Sequence, residues 1–217
     1  WKLVVTHNKN EFIENFLLFK DFIILETKKN GLTHLIKFNR KSKKREYVKF
    51  EDKTYSVSLI NNNDYKDRYF SFIFSSLKTP SSIFSQDLYS KKRKKLWRQK
   101  VLRHKEKKYE TKRILITARD GTKVPISLIY KKGLDLKKAP LLQYGYGSYG
   151  LVVEPSFKLT FMPLIDEGFI FAIAHIRGGQ ELGRDWYDQG RMMKKMNTFY
   201  DFIDCTKELL NKNIGNK

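Results

Sequence analysis

The chain has 217 residues and a formal net charge of +21, and 41% of its residues are hydrophobic and 14% aromatic. This composition supports a packed core in one large domain or two small ones. It excludes a membrane-spanning helix, because no run approaches roughly 18 uninterrupted apolar residues. The single cysteine, Cys205, excludes an internal disulfide framework and favours a reducing compartment. No histidine lies at metal-ligand spacing, so we expect no metal and no other cofactor; the histidines are His7, His34, His104 and His175.

The first residues do not show the charged, apolar and small-residue pattern of a secretory signal peptide. We therefore expect a cytoplasmic protein that does not contact membranes. The sequence begins at Trp1 rather than at methionine, and this leaves the position of the natural N-terminus open.

Residues 1–90 predict short strands separated by turns, with no competing helical periodicity. Asn30-Gly31 is a turn signal, and the polar stretches "NNND" and "KTPSS" separate later runs. Several short strands at nearly regular spacing indicate an antiparallel architecture, either a sandwich or a propeller. The alternating or β-rich runs are residues 16–29, 30–50, 55–60, 69–77 and 83–90.

The basic segment, residues 91–108, reads "KKRKKLWRQKVLRHKEKK" and holds eleven Lys and Arg residues and one aromatic residue, Trp97. A positive surface attracts phosphate, so one alternative is a basic module that binds nucleic acid or a partner protein. No recognised RNA- or DNA-binding motif accompanies the charge. We therefore interpret the segment as a solvated connector and do not expect a nucleic-acid partner.

After the basic segment the pattern changes to that of the beginning of an α/β domain. Asp120-Gly121 is a hairpin signal between two apolar runs, and Gly168 is expected to end a short helix. The last strand is nearly continuous in apolar residues, as in strands that are buried in parallel sheets. The predicted elements are a hairpin at 113–119 and 123–130, a strand at 139–146, a helix at 157–168 and a strand at 169–179.

Residues 197–211 give the strongest helical pattern of the chain. Thr198 is the predicted N-cap, and Asp201, three residues later, is its partner in a capping box. One face of this helix is expected to be buried, because its apolar side chains recur at helical spacing. These side chains are Phe199, Phe202, Ile203, Leu209 and Leu210.

The tyrosine–glycine loop, residues 143–150, reads "QYGYGSYG". Its glycines fit the spacing G-x-G-x-x-G, but a dinucleotide fold needs this loop to open directly into a helix. A β-rich stretch with Pro155 follows instead, and Tyr146 and Tyr149 are too bulky for a close approach to phosphate, so we reject the nucleotide interpretation. Ser148 is not in a nucleophile elbow, because Tyr146 stands where G-x-S-x-G requires glycine. Two alternatives remain: a tyrosine hydroxyl that donates to a developing oxyanion, or tyrosines that only pack.

Three stretches carry a specific pattern: "PLLQYGYGSYG", "GFIFAIAHIRGGQELGRDWYDQG" and "KKMNTFYDFID". Further upstream, "RDGTKVPISLIYKKG", "SSLKTPSSIFSQDL" and "GLTHLIKFNRKS" agree in order and spacing. Together they resemble the prolyl oligopeptidase family of serine peptidases, and most closely its oligopeptidase B branch. The resemblance covers nearly the whole chain.

That family joins a seven-bladed β-propeller to an α/β-hydrolase domain. The resemblance implies that residues 1–104 are the last blades of a partial propeller with its connector. Residues 105–217 are then the N-terminal part of the hydrolase domain. It also implies hydrolysis of short peptides after Lys or Arg, so that the expected partners of the intact enzyme are short basic peptides.

By the same resemblance, Tyr146 is the oxyanion-hole donor and Tyr149 lines the pocket for the residue before the cleaved bond. Arg177 lies in the turn after the next strand. We interpret that turn as structural first, with a substrate contact or an ion pair between domains as the alternative for Arg177. Gln180 stands where the family usually has a third glycine.

The serine, aspartate and histidine of the family's triad are expected in that order, beyond these motifs. No serine follows Ser156, His175 lies before the position of the nucleophile elbow, and Cys205 is interpreted as a packing residue. We therefore expect a fragment that does not hydrolyse peptides alone, either one half of a split enzyme that needs a complementary C-terminal chain or an inert remnant. Its incomplete sheets are expected to expose edges and to lower its solubility.

Overall fold

Three four-stranded sheets contain the twelve strands of the computed structural model, which describes residues 3–6, 8 and 11–216; His7 lies outside them. Consecutive strands are antiparallel neighbours in the first sheet (β1–β4) and in the second sheet (β5–β8). The strands are β1 Glu11–Leu18, β2 Phe22–Lys29, β3 Leu32–Asn39, β4 Arg45–Tyr47, β5 Tyr55–Leu59, β6 Tyr69–Ser76, β7 Ser82–Asp87, β8 Arg93–Arg98, β9 Tyr109–Thr117, β10 Lys123–Lys131, β11 Leu141–Tyr144 and β12 Ile170–Ala174; the helices are α1 Met162–Asp166, α2 Arg184–Asp188 and α3 Met196–Asn211.

The first two sheets confirm the antiparallel strands that the sequence predicts. Asn30 and Gly31 join β2 to β3 with φ angles of 52° and 72°, as a two-residue hairpin turn of the mirror-image type requires. The two sheets share one hydrophobic core rich in aromatic side chains, in which Phe70 and Phe72 are almost completely buried. The alternation in "YFSFIFSS" therefore identifies the buried face of β6 correctly.

The basic segment contains a strand that the sequence interpretation missed. β8 pairs antiparallel with β7 and forms one edge of the second sheet. The connector interpretation is therefore corrected for residues 93–98. Apolar alternation is absent there because nearly the whole strand is exposed, so side-chain pattern carries no signal for it. Cationic side chains along such an edge hinder pairing with other chains.

The third sheet is mixed, with the strand order β11-β12-β10-β9. β9 and β10 form the predicted hairpin, and β11 runs parallel to β12. All five residues of β12 are buried, which confirms the prediction of a buried apolar strand. β12 ends at Ala174 rather than at residue 179, because the chain turns at Gly178, where φ is 96°.

Helix α3 begins one residue before the predicted position, but its capping prediction is wrong. Lys195 is the N-cap and no side chain caps the helix. Thr198 lies inside the first turn, where its hydroxyl donates to the Arg177 carbonyl oxygen over 2.8 Å, and Asp201 binds the Arg177 side chain. Both polar side chains are buried because they hold the turn after β12.

The predicted buried face of α3 is also wrong in part. Phe199 and Ile203 are exposed in the described chain. The buried side chains lie one position away on the helical wheel, and they include two carboxylates that pair with arginines. The buried pair of Asp201 with Arg177 and the partly exposed pair of Asp204 with Arg119 therefore help to orient this helix, and apolar spacing alone does not reveal them. The buried residues are Thr198, Asp201, Asp204, Cys205 and Leu209.

The predicted helix at residues 157–168 is shorter than expected. A single 3₁₀ turn at residues 159–161 leads into α1, and Gly168 ends the segment with φ of 95°. Among the described helices, none is long and apolar enough to cross a membrane.

A ten-residue stretch links the second sheet, which ends at Arg98, to the mixed sheet, which begins at Tyr109. His104 fixes this stretch, since its Nε2 lies 2.7 Å from the Lys78 carbonyl oxygen and its ring stacks on Tyr109. The expected domain boundary, between residues 104 and 105, lies within it. Hydrogen bonds join the two parts of the chain: Thr54, just before β5, donates to Ser127 of β10, and Arg113 of β9 donates to the Asn30 carbonyl oxygen.

Candidate active site

The tyrosine–glycine loop leaves the carboxyl end of β11 and lies beside the turn that follows β12. Because β11 and β12 are parallel, their carboxyl ends meet at the same edge of the sheet, which is where open α/β sheets place their sites. The backbone N–H of Gly150 donates to the Gly178 carbonyl oxygen over 3.0 Å. This hydrogen bond joins the loop to the turn.

Close packing explains the glycine spacing of the loop. A Cβ atom on Gly147 would lie 2.5 Å from Thr198 Cγ2 and 2.8 Å from the Arg177 carbonyl oxygen, and the φ angle of Gly147 is +60°. A Cβ atom on Gly145 would lie 3.1 Å from the Phe202 ring. The glycines therefore let the backbone approach α3 and the turn after β12, and no phosphate is needed to account for them.

Tyr146 and Tyr149 project from this packed backbone. Tyr146 is 42% exposed, and its hydroxyl makes no hydrogen bond to any residue that the structure describes. Tyr149 is 83% exposed and has φ of 56°, an uncommon conformation for a bulky residue that must be held by its surroundings. The loop thus presents two aromatic side chains to solvent from a constrained backbone.

Lys195 anchors the loop from the start of α3. Its Nζ donates to the Gly147 carbonyl oxygen and to Ser148 Oγ, each over 2.6 Å. Partial burial lowers the pKa of Lys195. Ser148 is therefore bound to a lysine that also holds the backbone, and none of the described histidines forms a hydrogen bond with it. The predicted exclusion of Ser148 from a nucleophile elbow agrees with this geometry.

Arg177 is 4% exposed and binds two carboxylates of the same region. Its backbone N–H and Nε donate to Asp201 Oδ2, Nη2 donates to Asp201 Oδ1, and Nη1 donates to Asp120 Oδ2 over 2.6 Å. Burial alone would raise the pKa of Asp120, but the hydrogen bonds from Arg177 and Thr122 outweigh it and lower the value to about 2. Arg177 thus ties the β9–β10 hairpin to α3, which favours the structural interpretation of its turn.

Gln180 occupies a position of the turn where its φ is not positive. Its side chain lies over Gly150, where a Cβ atom would be 3.1 Å from Gln180 Oε1. The backbone of the turn at this position therefore does not require glycine.

A second group of residues resembles a catalytic triad in composition only. His175 Nε2 lies 2.8 Å from Ser127 Oγ, and His175 Nδ1 lies 4.0 Å from Glu181 Oε1. All three side chains are buried, so no substrate carbonyl can reach Ser127. Burial, with the nearby charges of Arg113 and Lys28, lowers the pKa of His175 well below its usual range. His175 is therefore held neutral in the interior; its position before the nucleophile elbow is the reason why the sequence predicts no triad role for it.

Cys205 is fully buried in the core of the mixed sheet. Burial raises the pKa of its thiol far above the usual range, and a thiolate is required for nucleophilic attack. The packing role predicted for Cys205 agrees with this environment. Within the described residues, no three His, Cys, Asp or Glu side chains form a group suited to a metal ion.

Sequence reasoning missed the residues that hold the loop. Lys195 lies in the charged stretch "KKM" and gives no pattern that distinguishes it from a solvated lysine. Lys28, in β2, likewise gives no signal, although it is one of the largest fully buried side chains. Only the tertiary structure shows that both ammonium groups bind acceptors around the tyrosine–glycine loop.

Two sequence profiles match the chain. The profile of the prolyl oligopeptidase N-terminal β-propeller domain matches residues 1–99, and that of the prolyl oligopeptidase family matches residues 155–217. Dipeptidyl aminopeptidase BI from Pseudoxanthomonas mexicana is 39% identical over 221 residues, which cover 100% of this chain and 30% of that protein. Protease 2 from Moraxella lacunata is 32% identical over 212 residues, which cover 97% of this chain and 30% of that protein. The chain thus spans about a third of these relatives.

Solved structures give the same result. Oligopeptidase B from Trypanosoma brucei, in a closed form with covalently bound antipain, superposes with a TM-score of 0.88 at 35% identity, over 98% of this chain and 32% of that one. Oligopeptidase B from Leishmania major gives a TM-score of 0.88 at 33% identity, over 98% and 31%. The predicted architecture is therefore confirmed: the first two sheets are propeller blades, and the mixed sheet is the beginning of an α/β-hydrolase domain.

Proposed function

Since the chain belongs to the prolyl oligopeptidase family, we propose that it supplies the oxyanion donor and part of the substrate pocket of a serine peptidase of the oligopeptidase B type. The observation that carries this proposal is the exposed Tyr146 hydroxyl, which has no hydrogen-bond partner in the described chain and sits on a fixed backbone. A donor that need not reorganise is what stabilises developing charge most effectively.

In the proposed reaction, a serine hydroxyl attacks the carbonyl carbon of the scissile bond and loses its proton to a base. The carbonyl electron pair moves onto oxygen, and the Tyr146 hydroxyl donates a hydrogen bond to that oxyanion. Tyr149 forms a wall of the pocket for the residue before the scissile bond. The reaction also needs a nucleophile and a base, and neither Ser127, which is buried, nor Ser148, which is bound to Lys195, is placed among the described residues to act as the nucleophile. We propose that the chain alone is catalytically incompetent.

A complementary C-terminal chain is the proposed source of the triad. β11 is the outer strand of the mixed sheet and pairs only with β12 over its described length. Asn216 forms an isolated parallel bridge to Pro140, beside that open edge. Apolar side chains on and before α3 are exposed as well, and they favour a covering partner: Met192, Met193, Met196, Phe199 and Ile203.

The proposed substrates are short peptides cleaved after Lys or Arg. The similarity to oligopeptidase B at 35% identity over nearly the whole chain supports this specificity. The 39% identity to a dipeptidyl aminopeptidase favours a second candidate, the release of dipeptides from a free N-terminus. An N-terminal blocking group distinguishes them, since only the first activity accepts a blocked peptide.

The experiment compares the chain alone with the chain mixed with the C-terminal part of the Moraxella lacunata relative. We expect no turnover of a blocked fluorogenic Arg-Arg substrate by the chain alone, and turnover that a serine-directed inhibitor abolishes in the mixture. Inhibitor-sensitive turnover by the chain alone would contradict the proposal of incompetence. Turnover only of an unblocked dipeptide substrate would instead support the dipeptidyl activity.

We place this activity in the cytoplasm as part of the same proposal. The lone cysteine is unpaired and buried, which suits a reducing compartment. Fractionation of cells that carry an epitope-tagged copy tests the location, and recovery from an oxidising compartment would contradict it.

A further inference from the structure

Lys28 is a buried lysine that binds across the two parts of the chain. It lies in β2, and its side chain is 1% exposed. Its Nζ contacts the carboxylate of Glu154 and lies 3.6 Å from that of Glu14. Glu14 is on the neighbouring strand β1, whereas Glu154 follows the tyrosine–glycine loop. A buried ammonium group is strongly destabilising unless it is paired, so the contact with Glu154 is strongly favoured.

The segment after the loop, residues 151–157, is also held by apolar packing of Phe157 and Val153 and by two hydrogen bonds from its backbone to side chains elsewhere in the chain. The backbone N–H of Val153 donates to Glu181 Oε1 over 3.1 Å, and that of Phe157 donates to Ser75 Oγ over 3.0 Å. Ser75 belongs to the second sheet, and Lys28 belongs to the first. The two propeller blades therefore hold residues 154 and 157, immediately beyond the loop that carries Tyr146.

A polar network surrounds the contact between Lys28 and Glu154. Arg113 donates to the Asn30 carbonyl oxygen over 2.7 Å and to Ser127 Oγ over 2.9 Å. Ser127 also accepts a hydrogen bond from Thr54 over 2.8 Å and contacts His175. The network thus runs from the turn between β2 and β3, through β9 and β10, to the turn after β12.

Three buried atoms in this network have no hydrogen-bond partner within the described residues: Glu154 Oε2, His175 Nδ1 and Glu181 Oε2. Burial, the largest effect, raises the pKa of Glu181 to about 7, while the charge of Lys28 lowers it and that of Glu154 raises it. Three carboxylates, those of Glu14, Glu154 and Glu181, thus interact with the one charge of Lys28. Because buried acceptor atoms in this network lack hydrogen-bond partners, its stability depends strongly on each positive charge within it.

We propose that Lys28 is a positioning residue for the tyrosine–glycine loop, holding residues 151–157 against the propeller and thereby fixing the place of Tyr146. The proposal deepens the proposed function and rests on it only for its effect on catalysis. It makes the geometry of the oxyanion donor dependent on a strand of the first propeller blade, β2. A general stabilising role for Lys28 is the competing explanation.

The test measures backbone hydrogen exchange of the full chain by mass spectrometry. Lys28→Met removes the charge and keeps a long apolar side chain. We expect exchange of peptides that cover residues 145–157 to become at least about tenfold faster, with unchanged exchange at the tip of the β9–β10 hairpin. Lys29→Met is the matched control, because Lys29 is the next residue of β2 and its Nζ lies over the Tyr47 ring.

Glu154→Gln breaks the same contact from the loop side and keeps the test decisive if Lys28→Met does not fold. It should accelerate exchange at residues 145–157 to a similar extent, and the double variant should add little, since the two changes remove one interaction. Lys28→Arg keeps the positive charge, so exchange at residues 145–157 should stay as slow as in the unmodified chain. Unchanged exchange at residues 145–157 in the folded variants would overturn the proposal, as would equal acceleration throughout the chain.

The catalytic consequence is measured separately, in the mixture with the complementary chain. Lys28→Met should lower kcat by about tenfold or more, with a smaller change in KM, because a displaced donor weakens stabilisation of the transition state. Absence of activity in the unmodified mixture would contradict the proposed function alone. A loop that loosens without any change in kcat would contradict the link between Lys28 and the oxyanion donor.

Discussion

The second sheet and the mixed-sheet region place many of their charges differently. In the second sheet, cations lie along the exposed edge strand β8, while the interior is a cluster of aromatic rings. In the mixed-sheet region, Arg177 and Asp201 are both buried and paired, and His175 and Glu181 are buried beside Ser127. Charge therefore protects the exposed edge of the second sheet, whereas it orients the elements around the mixed sheet.

The two regions also differ in the contacts that assemble them. Paired strands in hairpins depend on local sequence, whereas the candidate site depends on contacts between residues that are distant in the chain. Antiparallel neighbours such as β6 and β7 are joined by short turns, so local sequence determines most of their register. The tyrosine–glycine loop instead depends on residues far away in the chain, among them Lys195 and Thr198. A site assembled from distant residues needs specific polar contacts, and buried ion pairs supply them here.

The largest expected effect comes from removing one core side chain in each region. Phe72→Ala and Leu128→Ala delete side chains with 0% exposure, and each should cost about 3–5 kcal/mol of unfolding free energy. Because contacts such as Thr54 with Ser127 join the regions, both variants should shift a single urea transition followed by circular dichroism. A variant that leaves half of the transition at its original midpoint would show that the regions unfold independently.

A smaller effect is expected from the buried ion pair that orients α3. Asp201→Asn leaves Arg177 with Asp120 as its remaining carboxylate partner, and we expect a loss of about 3 kcal/mol in urea unfolding. Glu208→Gln is the control, since it removes only the exposed pair with Lys212 and should cost about 0.5 kcal/mol or less. Equal losses in both variants would contradict the contrast between buried and surface charge.

The pH dependence of stability should differ between Glu181 and its glutamine variant. The pKa of Glu181 is raised from 4.5 to about 7 in the folded chain, so between these values the native state keeps a proton that the unfolded state has lost. The unfolding free energy should therefore fall as the pH rises from about 4.5 to 7. Glu181→Gln should remove this part of the slope, on the order of 3 kcal/mol. Parallel pH profiles for both proteins would contradict the assignment.

The smallest effect on stability is expected at the cationic edge of the second sheet. Lys94→Val should change the unfolding free energy by no more than about 0.5 kcal/mol, but it should increase light scattering because an edge strand loses a protecting charge. Lys41→Val is the control, since Lys41 is exposed in the turn between β3 and β4. Equal scattering from both variants would show that β8 is not the relevant edge.

The predictions from sequence were correct where a local apolar pattern determines burial, and they failed where exposed or paired charges determine the structure. Apolar alternation identified the buried face of β6, and the continuous run at residues 170–174 identified β12. The pattern missed β8, whose side chains are exposed on both faces, and it misplaced the buried face of α3. Helical spacing of apolar residues could not show that Asp201 turns inward, because its partner Arg177 is 24 residues away.

The candidate site was predictable only in its residue types. The "QYGYGSYG" motif identified Tyr146 and Tyr149 by resemblance, and the role of each stays a prediction. The anchors Lys195 and Lys28 carry no local signal, since lysines are abundant throughout this chain of charge +21. Their contacts arise from burial against distant acceptors, which sequence pattern does not encode.

The most direct measurement is the kinetic effect of Tyr146→Phe in the mixture with the complementary chain, with Tyr144→Phe as the control. Tyr144 is similarly exposed and belongs to β11. Removing one oxyanion donor costs roughly 10²–10³ in kcat, so we expect a loss of that size for Tyr146→Phe with little change in KM. A kcat for Tyr146→Phe equal to that of Tyr144→Phe would contradict the account.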